Sequence, residues 1–397
     1  MPCQSLNKKS ILDIDLDNKK VIMRVDFNVP IENKIIIDDT KIAAAIPTLN
    51  YLLQHQCRVI LLSHMGRPKG EKNLEFSLAP AAERLGRLID KKVLFVPDCI
   101  GQAPQKVAAD MKPGDVILLE NVRFYPEEEK NDTEFAKKLA SLAELYVNDA
   151  FGTAHRAHAS TEAIAHFLPA VGGLLMNKEI KGLANALKEN PARPYVAIIG
   201  GKKVKDKIPV LIQMLERVDT LLIGGGMSNT FLAARGYQMQ KSLMEPEYVD
   251  MITEMMAKPE GKRLVLPVDL VVAKEIAEGV ETKIVTCDQV PTDYIALDIG
   301  PQTVELFAKI IAKAKTVFCN GPMGVFEHKE FANGTYEVMK AIADCPGFTI
   351  VGGGDSVSAV NHMSLADKID HISTGGGASL ELLEGKILPG IAALMDQ

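Results

Sequence analysis

The stretch "GTAHRAH", residues 152 to 158, sets His155, Arg156 and His158 into one short turn directly after the apolar run "LYVNDAF". Cations gathered where a buried strand ends suit an anion, because loops at the carboxyl ends of α/β strands are where such proteins bind ligands. The pairing recurs upstream: Arg24, Asp26 and Asn28 in "RVDFNVP", His64 and Arg67 in "SHMGRP", and Arg123 in "ENVRF". Arginine presents a planar fork that grips phosphate or carboxylate through two parallel hydrogen bonds, so converging arginines suggest a small polyanion. Asp26 repels an anion, but it could accept a hydrogen bond from a ligand hydroxyl or cap a turn. Taken singly, each of these residues is more often solvated or satisfied in a core. Their repetition at successive strand ends favours a site.

The second half ends its apolar runs in glycine: "IIGGKKVKDK", "LIGGGMSNTF", "VGGGDSVSAV" and "STGGGASLE". Glycine lets a backbone approach phosphate closely, and the following helix offers free amides and a favourable dipole. Lys203 and Lys207 would add point charges. The same glycines also make tight turns, and Asp355 with Ser356 could simply cap a helix. No GxxxxGK[ST] is present and neither triple-glycine run completes GxGxxG, which argues against a P-loop and gives a dinucleotide fold little support. An anion-gripping half beside a glycine-rich half suggests phosphoryl transfer between a phosphorylated acid and a nucleotide, with Mg²⁺ bridging the nucleotide phosphates. Water exclusion would come from closure of two domains, with the connector and "STGGGASLE" as candidate hinges.

Those residues need scaffolds. Short β-branched runs at 20 to 27, 58 to 64, 93 to 98, 116 to 121 and 145 to 151, and again at 195 to 201, 220 to 226, 263 to 269, 316 to 322 and 348 to 354, alternate with helical patterns. Near-continuous apolar strands separated by helices predict parallel sheets covered on both faces, hence an α/β fold of two doubly wound, Rossmann-like domains. Between them, Ile180, Leu183, Ala184 and Leu187 recur at helical spacing until Pro191 and Pro194, which predicts a connecting helix and hinge. A length of 397 residues agrees with two domains.

Apolar residues at 47% and charged residues at 24% describe an ordinary globular chain, and the net charge of −6 argues against a nucleic-acid partner. The chain shows no apolar leader and no run of membrane-spanning length, so the expectation is a cytoplasmic protein without a membrane partner. The six cysteines are scattered without a CxxC pair, which predicts thiols rather than a disulfide frame or zinc site.

In their order along the chain, "RVDFNVP", "SHMGRP", "ENVRF", "DAFGTAHRAHAS", "GGKKVKDK", "GGGMSNTF", "NGPMGVFE", "GGGDS" and "STGGGASLE" resemble the phosphoglycerate kinase family over essentially the whole length. The resemblance implies reversible transfer from 1,3-bisphosphoglycerate to ADP, giving 3-phosphoglycerate and ATP in glycolysis and gluconeogenesis, by a Mg²⁺-dependent monomer. It implies an acid domain over 1–172, a connecting helix over 173–190, a nucleotide domain over 191–378, and a segment 379–397 packing back on the first domain. Arg24, Asp26, Asn28, His64, Arg67, Arg123 and Arg156 would bind the acid, the last presented to its 3-phosphate by "GTAHRAH". Gly201, Lys203, Lys207, Gly224, Gly225, Asn320, Glu327, Gly354, Asp355 and Ser356 would bind nucleotide, Asp355 also holding Mg²⁺. Lys41, Lys203, Gly353, Gly354, Gly376 and Gly377 would act on the transferring phosphoryl group.

Three positions depart from the family pattern. Lys41 stands where an arginine is usual, keeping the charge but losing the fork, which predicts a slower enzyme. Lys202 replaces a small residue before the catalytic lysine, and Cys319 replaces an aromatic before "NGP", read as a packing change. A two-lobed binding protein for a phosphorylated acid would explain the arginines but not the glycine-rich half, and a dehydrogenase lacks its fingerprint.

Overall fold

A computed structural model describes residues 6–32, 35–188 and 190–397; Cys3 and the first five residues of the expected first domain lie outside them. The chain forms two compact units, Met1–Lys181 with Lys386–Gln397, and Gly182–Gly385. Each is built on a six-stranded sheet whose neighbours all run parallel.

The first sheet takes Lys20–Arg24, Arg58–Leu62, Val93–Val96, Val116–Leu119, Leu145–Asn148 and Ala170–Gly172. Counted along the chain, these lie in the order 3-4-2-1-5-6. Valine, isoleucine and leucine fill the central strands because both faces are covered: Val21, Met23, Val59 and Leu61 pack in one core with Ile42, Leu49, Leu52 and Leu85 from the flanking helices. Those helices are one-sided. Thus Ala79–Leu88 has proline in its first turn and buries Ala81, Ala82 and Leu85.

The second sheet takes Tyr195–Ile199, Thr220–Ile223, Leu264–Val265, Thr316–Asn320, Phe348–Gly352 and His371–Ser373. Their order, 3-2-1-4-5-6, is the doubly wound Rossmann order. Chain direction across the sheet reverses between Tyr195–Ile199 and Thr316–Asn320, and in the first sheet between Lys20–Arg24 and Leu145–Asn148. Such switch points open a crevice beyond the strand ends.

The expected strand over 263 to 269 is two strands. Pro267 has no amide to donate to a ladder, so the parallel strand stops at Val265 and a new one, Asp269–Ala273, starts an antiparallel sheet between Lys283–Thr286 and Ile295–Ile299. The connector is a helix, Leu174–Leu187, begun by the buried carboxylate of Asp149, which accepts from Leu175 and Met176 N–H at 2.9 and 3.1 Å.

The division between units falls inside that helix, at 181/182, so the segment expected over 173–190 as a separate connector is shared between the two units. Its second half is fitted to the second unit: a Cβ on Gly182 would lie 2.3 Å from the His371 ring. Residues 379–385 also stay with the second unit instead of joining the tail, because the helix Gly376–Leu383 buries Leu382 and Leu383, each worth roughly 1.5–3 kcal/mol. From Lys386 the chain belongs to the first unit, where Lys8 pairs with Asp396 at 2.7 Å and Asn148 donates to Gly390 O at 3.0 Å.

Candidate active site

In the first unit, loops leaving the switch-point strands and their neighbours converge. Arg24 ends its strand 1% exposed, and His64, 4% exposed, follows the adjacent strand. Arg24 Nη2 meets His64 Nδ1 at 3.2 Å. Arg123 sits on the short turn Val122–Phe124, fixed by Nη1 donating to Gly66 O at 2.8 Å. Its Nε lies 3.2 Å from Glu129 Oε1 without hydrogen-bond alignment, and its buried Nη2 finds no acceptor among the described residues. Arg156 donates from Nε to His155 Nε2 at 3.1 Å.

The charges crowd one another. Burial and the neighbouring Arg24, Arg123, Lys41 and Arg156 hold His64 well below the usual imidazole range. Burial first, then Arg156 and Arg24, push Arg123 down to about 10. His158 falls to about 4 through burial, Arg123, Arg24 and Arg156. Asp26, Glu128 and Glu129 offset part of this charge, and a crowd of cations balanced only in part suits a further anion. Beside this cluster Lys41, in the first turn of the helix Thr40–Gln54, donates to Asp26 Oδ2 at 2.9 Å, and Asn28 Oδ1 accepts from Gly66 N–H at 2.9 Å. Arg67 is exposed and makes none of these contacts.

In the second unit, backbones at the switch point pack too closely for side chains. A Cβ on Gly225, where φ is +68°, would lie 2.6 Å from Gly201 N and O; one on Gly224 would lie 2.3 Å from Met323 Sδ. Gly201 and Gly225 N–H donate to Pro322 O and Met323 O at 3.1 and 3.0 Å. Glycine is thereby a condition of closing this wall. Around it opens a cavity of about 560 Å³, reached by Gly201, Lys202, Gly225, Glu327 and Asp355 and walled by Leu270, Ile276, Leu297, Met323 and Val325. An apolar slot with few charged groups suits a planar base carrying an anionic tail.

Lys207 donates to Asn320 Oδ1, and burial lowers its pKa although Asp206 and Asp355 oppose this. Asn320 Nδ2 is buried without a partner among the described residues. Ser356 Oγ accepts from Gly321 N–H at 2.8 Å, while Asp355 is exposed in the first turn of the helix Gly354–His362. A Cβ on Gly376 would lie 2.8 Å from Gly353 Cα, so two of the glycine turns meet. Gly377 and Lys203 are exposed, and the Cβ position of Gly354 faces open space. Cys319 is wholly buried in the sheet core, away from the cavity lining, its thiol pushed up to about 12 by burial.

Sequence reasoning missed Asp298 and the apolar cavity walls. Asp298 lines the cavity and accepts from Gly334 N–H at 2.7 Å and Ile299 N–H at 2.9 Å; burial pushes its carboxyl up to about 7. In "YIALDIGP" it is one carboxylate at a strand end, and the only available signal was its neighbouring Gly300 and Pro301.

Two Rossmann-like units, one with a buried surplus of positive charge and one with a glycine-walled cavity edged by lysine and aspartate, define an α/β phosphotransferase. The family model described as Phosphoglycerate kinase matches residues 11–386, and the chain belongs to that family. It is similar to the phosphoglycerate kinase of Moorella thermoacetica, 55% identical over 98% of this chain and 100% of that protein, and to that of Pelotomaculum thermopropionicum, 52% identical over the same shares. Among solved structures, the phosphoglycerate kinase from Coxiella burnetii superposes with a TM-score of 0.87 at 42% identity, covering 97% of this chain and 98% of that one. The chain is accordingly a glycolytic phosphoryl-transfer enzyme, a phosphotransferase with a carboxyl group as acceptor.

Proposed function

We propose that this enzyme transfers a phosphoryl group reversibly between 1,3-bisphosphoglycerate and ADP, yielding 3-phosphoglycerate and ATP. The acid is read onto the first unit, where Arg123 lies with Arg156 beside His64 and keeps a buried Nη2 without an acceptor among the described residues, and that is the observation that carries the assignment. Arg123 and Arg156 would take its distal phosphate with His64 and Arg67, while Asp26 and Asn28 meet its hydroxyl and carboxylate. Nucleotide is read into the cavity, its base between Gly224, Gly225 and the apolar wall, its ribose near Glu327, and its phosphates near Gly201, Lys207, Asn320 and Ser356. Lys203 and Lys41, with the amides of Gly353, Gly354, Gly376 and Gly377, would neutralise charge on the equatorial oxygens during transfer.

Asp355 is the carboxylate suited to Mg²⁺. It is exposed and lines the cavity, and among the described residues no group of three or more acidic, histidine or cysteine side chains gathers into a cage. One carboxylate plus nucleotide phosphates is the donor set Mg²⁺ commonly takes, and the ion would supply charge neutralisation to the phosphates. We further read the protein as a cytoplasmic monomer, which the family resemblance implies, and its net charge of −6 as unfavourable to a nucleic-acid partner; among the described residues no helix is long and apolar enough to cross a membrane, and Cys57, Cys99, Cys287, Cys319 and Cys345 are free thiols.

The test is ADP formation from ATP and 3-phosphoglycerate with Mg²⁺, coupled to NADH-dependent reduction of the acyl phosphate. Lys203→Ala should lower kcat about 100-fold or more while the KM for 3-phosphoglycerate holds. Retention of most of the turnover would remove Lys203 from the chemistry.

A further inference from the structure

Behind the acid-binding cluster lies a buried chain of hydrogen bonds that the transfer step does not use. Glu128, on the short helix Pro126–Glu129, is wholly buried and receives Ser160 N–H at Oε2, 2.9 Å, and Ser160 O–H at Oε1, 2.6 Å. Ser160 Oγ accepts in turn from Arg24 Nε at 2.8 Å. Arg24 donates through Nη1 to Val25 O, and through Nη2 to His64 Nδ1. Tyr146 O–H donates to Ser160 O at 2.9 Å, holding the serine from the strand side.

The direction of this chain is forced. A serine hydroxyl has one hydrogen, and here it is spent on the carboxylate, so its oxygen is an acceptor towards Arg24. Guanidinium has donors only and stays charged, so the nitrogen of His64 that faces it must carry a lone pair. An imidazole with a bare Nδ1 keeps its hydrogen on Nε2. Burial raises the Glu128 carboxyl while Arg24, the Ser160 hydrogen bonds and Arg123 hold it down, and as the carboxylate it supplies the negative charge that lets Arg24 stay buried here, because breaking such a pair would strand an uncompensated charge.

We infer that Glu128 and Ser160 are positioning residues that act through Arg24 to hold His64 in the Nε2–H tautomer, so that it meets the acid substrate as a hydrogen-bond donor. Arg24 then orients the histidine from behind instead of gripping the ligand. This rests on the reading of the first unit as the acid site. Arg24, at the end of the adjacent strand, touches His64, and the other charges that act on the ring are Arg123 from the turn Val122–Phe124, Lys41 from the helix Thr40–Gln54, and Arg156 from the "GTAHRAH" loop. All are cationic, so none favours a second proton on the ring, and the donor role persists across neutral and mildly acidic pH.

Nitrogen-15 correlation spectra of the histidine-labelled enzyme test this, with His64 assigned by its loss in His64→Gln. The expected pattern is a pyridine-type Nδ1 and a pyrrole-type Nε2 that do not titrate between pH 5.5 and 8.5. A protonated Nδ1, an averaged pair or titration in that window overturns the wiring. Ser160→Ala should introduce the second tautomer or titration and raise the KM for 3-phosphoglycerate about 5-fold, the size of one ordinary hydrogen bond, with the KM for ATP unchanged. Glu128→Gln, which keeps the shape but not the charge, should move the same two readouts, and indifference of His64 to both changes overturns the positioning role. Saturation with 3-phosphoglycerate should shift the Nε2 resonance. A fixed tautomer that ignores the substrate would instead overturn the placement of the acid at His64.

Discussion

Lys41 brings one ammonium to a position where the resemblance to the family leads one to expect a planar fork, and 2.9 Å from Nζ that charge is already engaged by Asp26. An arginine could hold Asp26 with one edge and stabilise the transferring group with the other, which a point charge cannot do. Lys41→Arg should therefore raise kcat several-fold at saturating substrates, and an unchanged or lower kcat would show that the ammonium suffices. Asp298 makes a separate prediction at this scale. Its folded pKa, raised to about 7 from 3.8, means that the folded protein binds more protons between those values than the unfolded chain. Its contribution is thus favourable below about pH 4 and is lost as pH rises through 7, by up to about 1.4 kcal/mol per pH unit. Asp298→Asn should flatten that slope. Denaturant titrations at pH 5 and pH 8 read it as a gain of the variant relative to wild type at the higher pH, whatever constant offset the amide introduces against Gly334.

At the scale of elements, the nucleotide wall depends on strand-to-helix turns that come together without side chains. Gly225 combines φ of +68° with neighbours at 2.6 to 2.8 Å from any Cβ, all of them backbone atoms of Gly201 and Pro322. Those atoms belong to other strand ends and cannot rotate away, so Gly225→Ala should cost about 2 kcal/mol or more of unfolding free energy and raise the KM for ADP. A variant within about 0.5 kcal/mol of wild type would show that the turns yield. The helix Leu174–Leu187 illustrates the other kind of element control. Its start is fixed in the first unit by Asp149 and its later turns are fitted to the second around Gly182, so one regular helix serves both.

At the scale of the molecule, each unit carries its own sheet and its own core, and the proposed function gives each its own ligand. Ligand protection should divide in the same way. In hydrogen exchange, 3-phosphoglycerate should slow amides at 24–28, 64–67, 122–124 and 153–160, and Mg-ADP should slow those at 200–207, 224–228, 320–327 and 353–356. Protection of the glycine turns by the acid alone would reverse the assignment of the units.

Much of this was already present in the order of residue types. Alternating apolar runs and helical periods determined the two parallel sheets, since a strand buried on both faces must be apolar throughout and a covering helix must be apolar on one side. The cations and glycines at strand ends pointed to a candidate site in each unit, because strand ends in such sheets share an edge. Pairing across distance was not legible. Which strands lie at the switch points, that Pro267 diverts the chain into an antiparallel sheet, and that Asp298 joins a cavity wall all depend on contacts between residues far apart in sequence. The same holds for Arg24. As a sequence position it was one more cation at a strand end, and only the fold places Glu128, from 104 residues further along the chain, behind Ser160 and turns that arginine toward His64. Periodicity is a local property and so survives in the sequence, whereas the direction of a buried hydrogen-bond chain exists only once its distant members have been packed together.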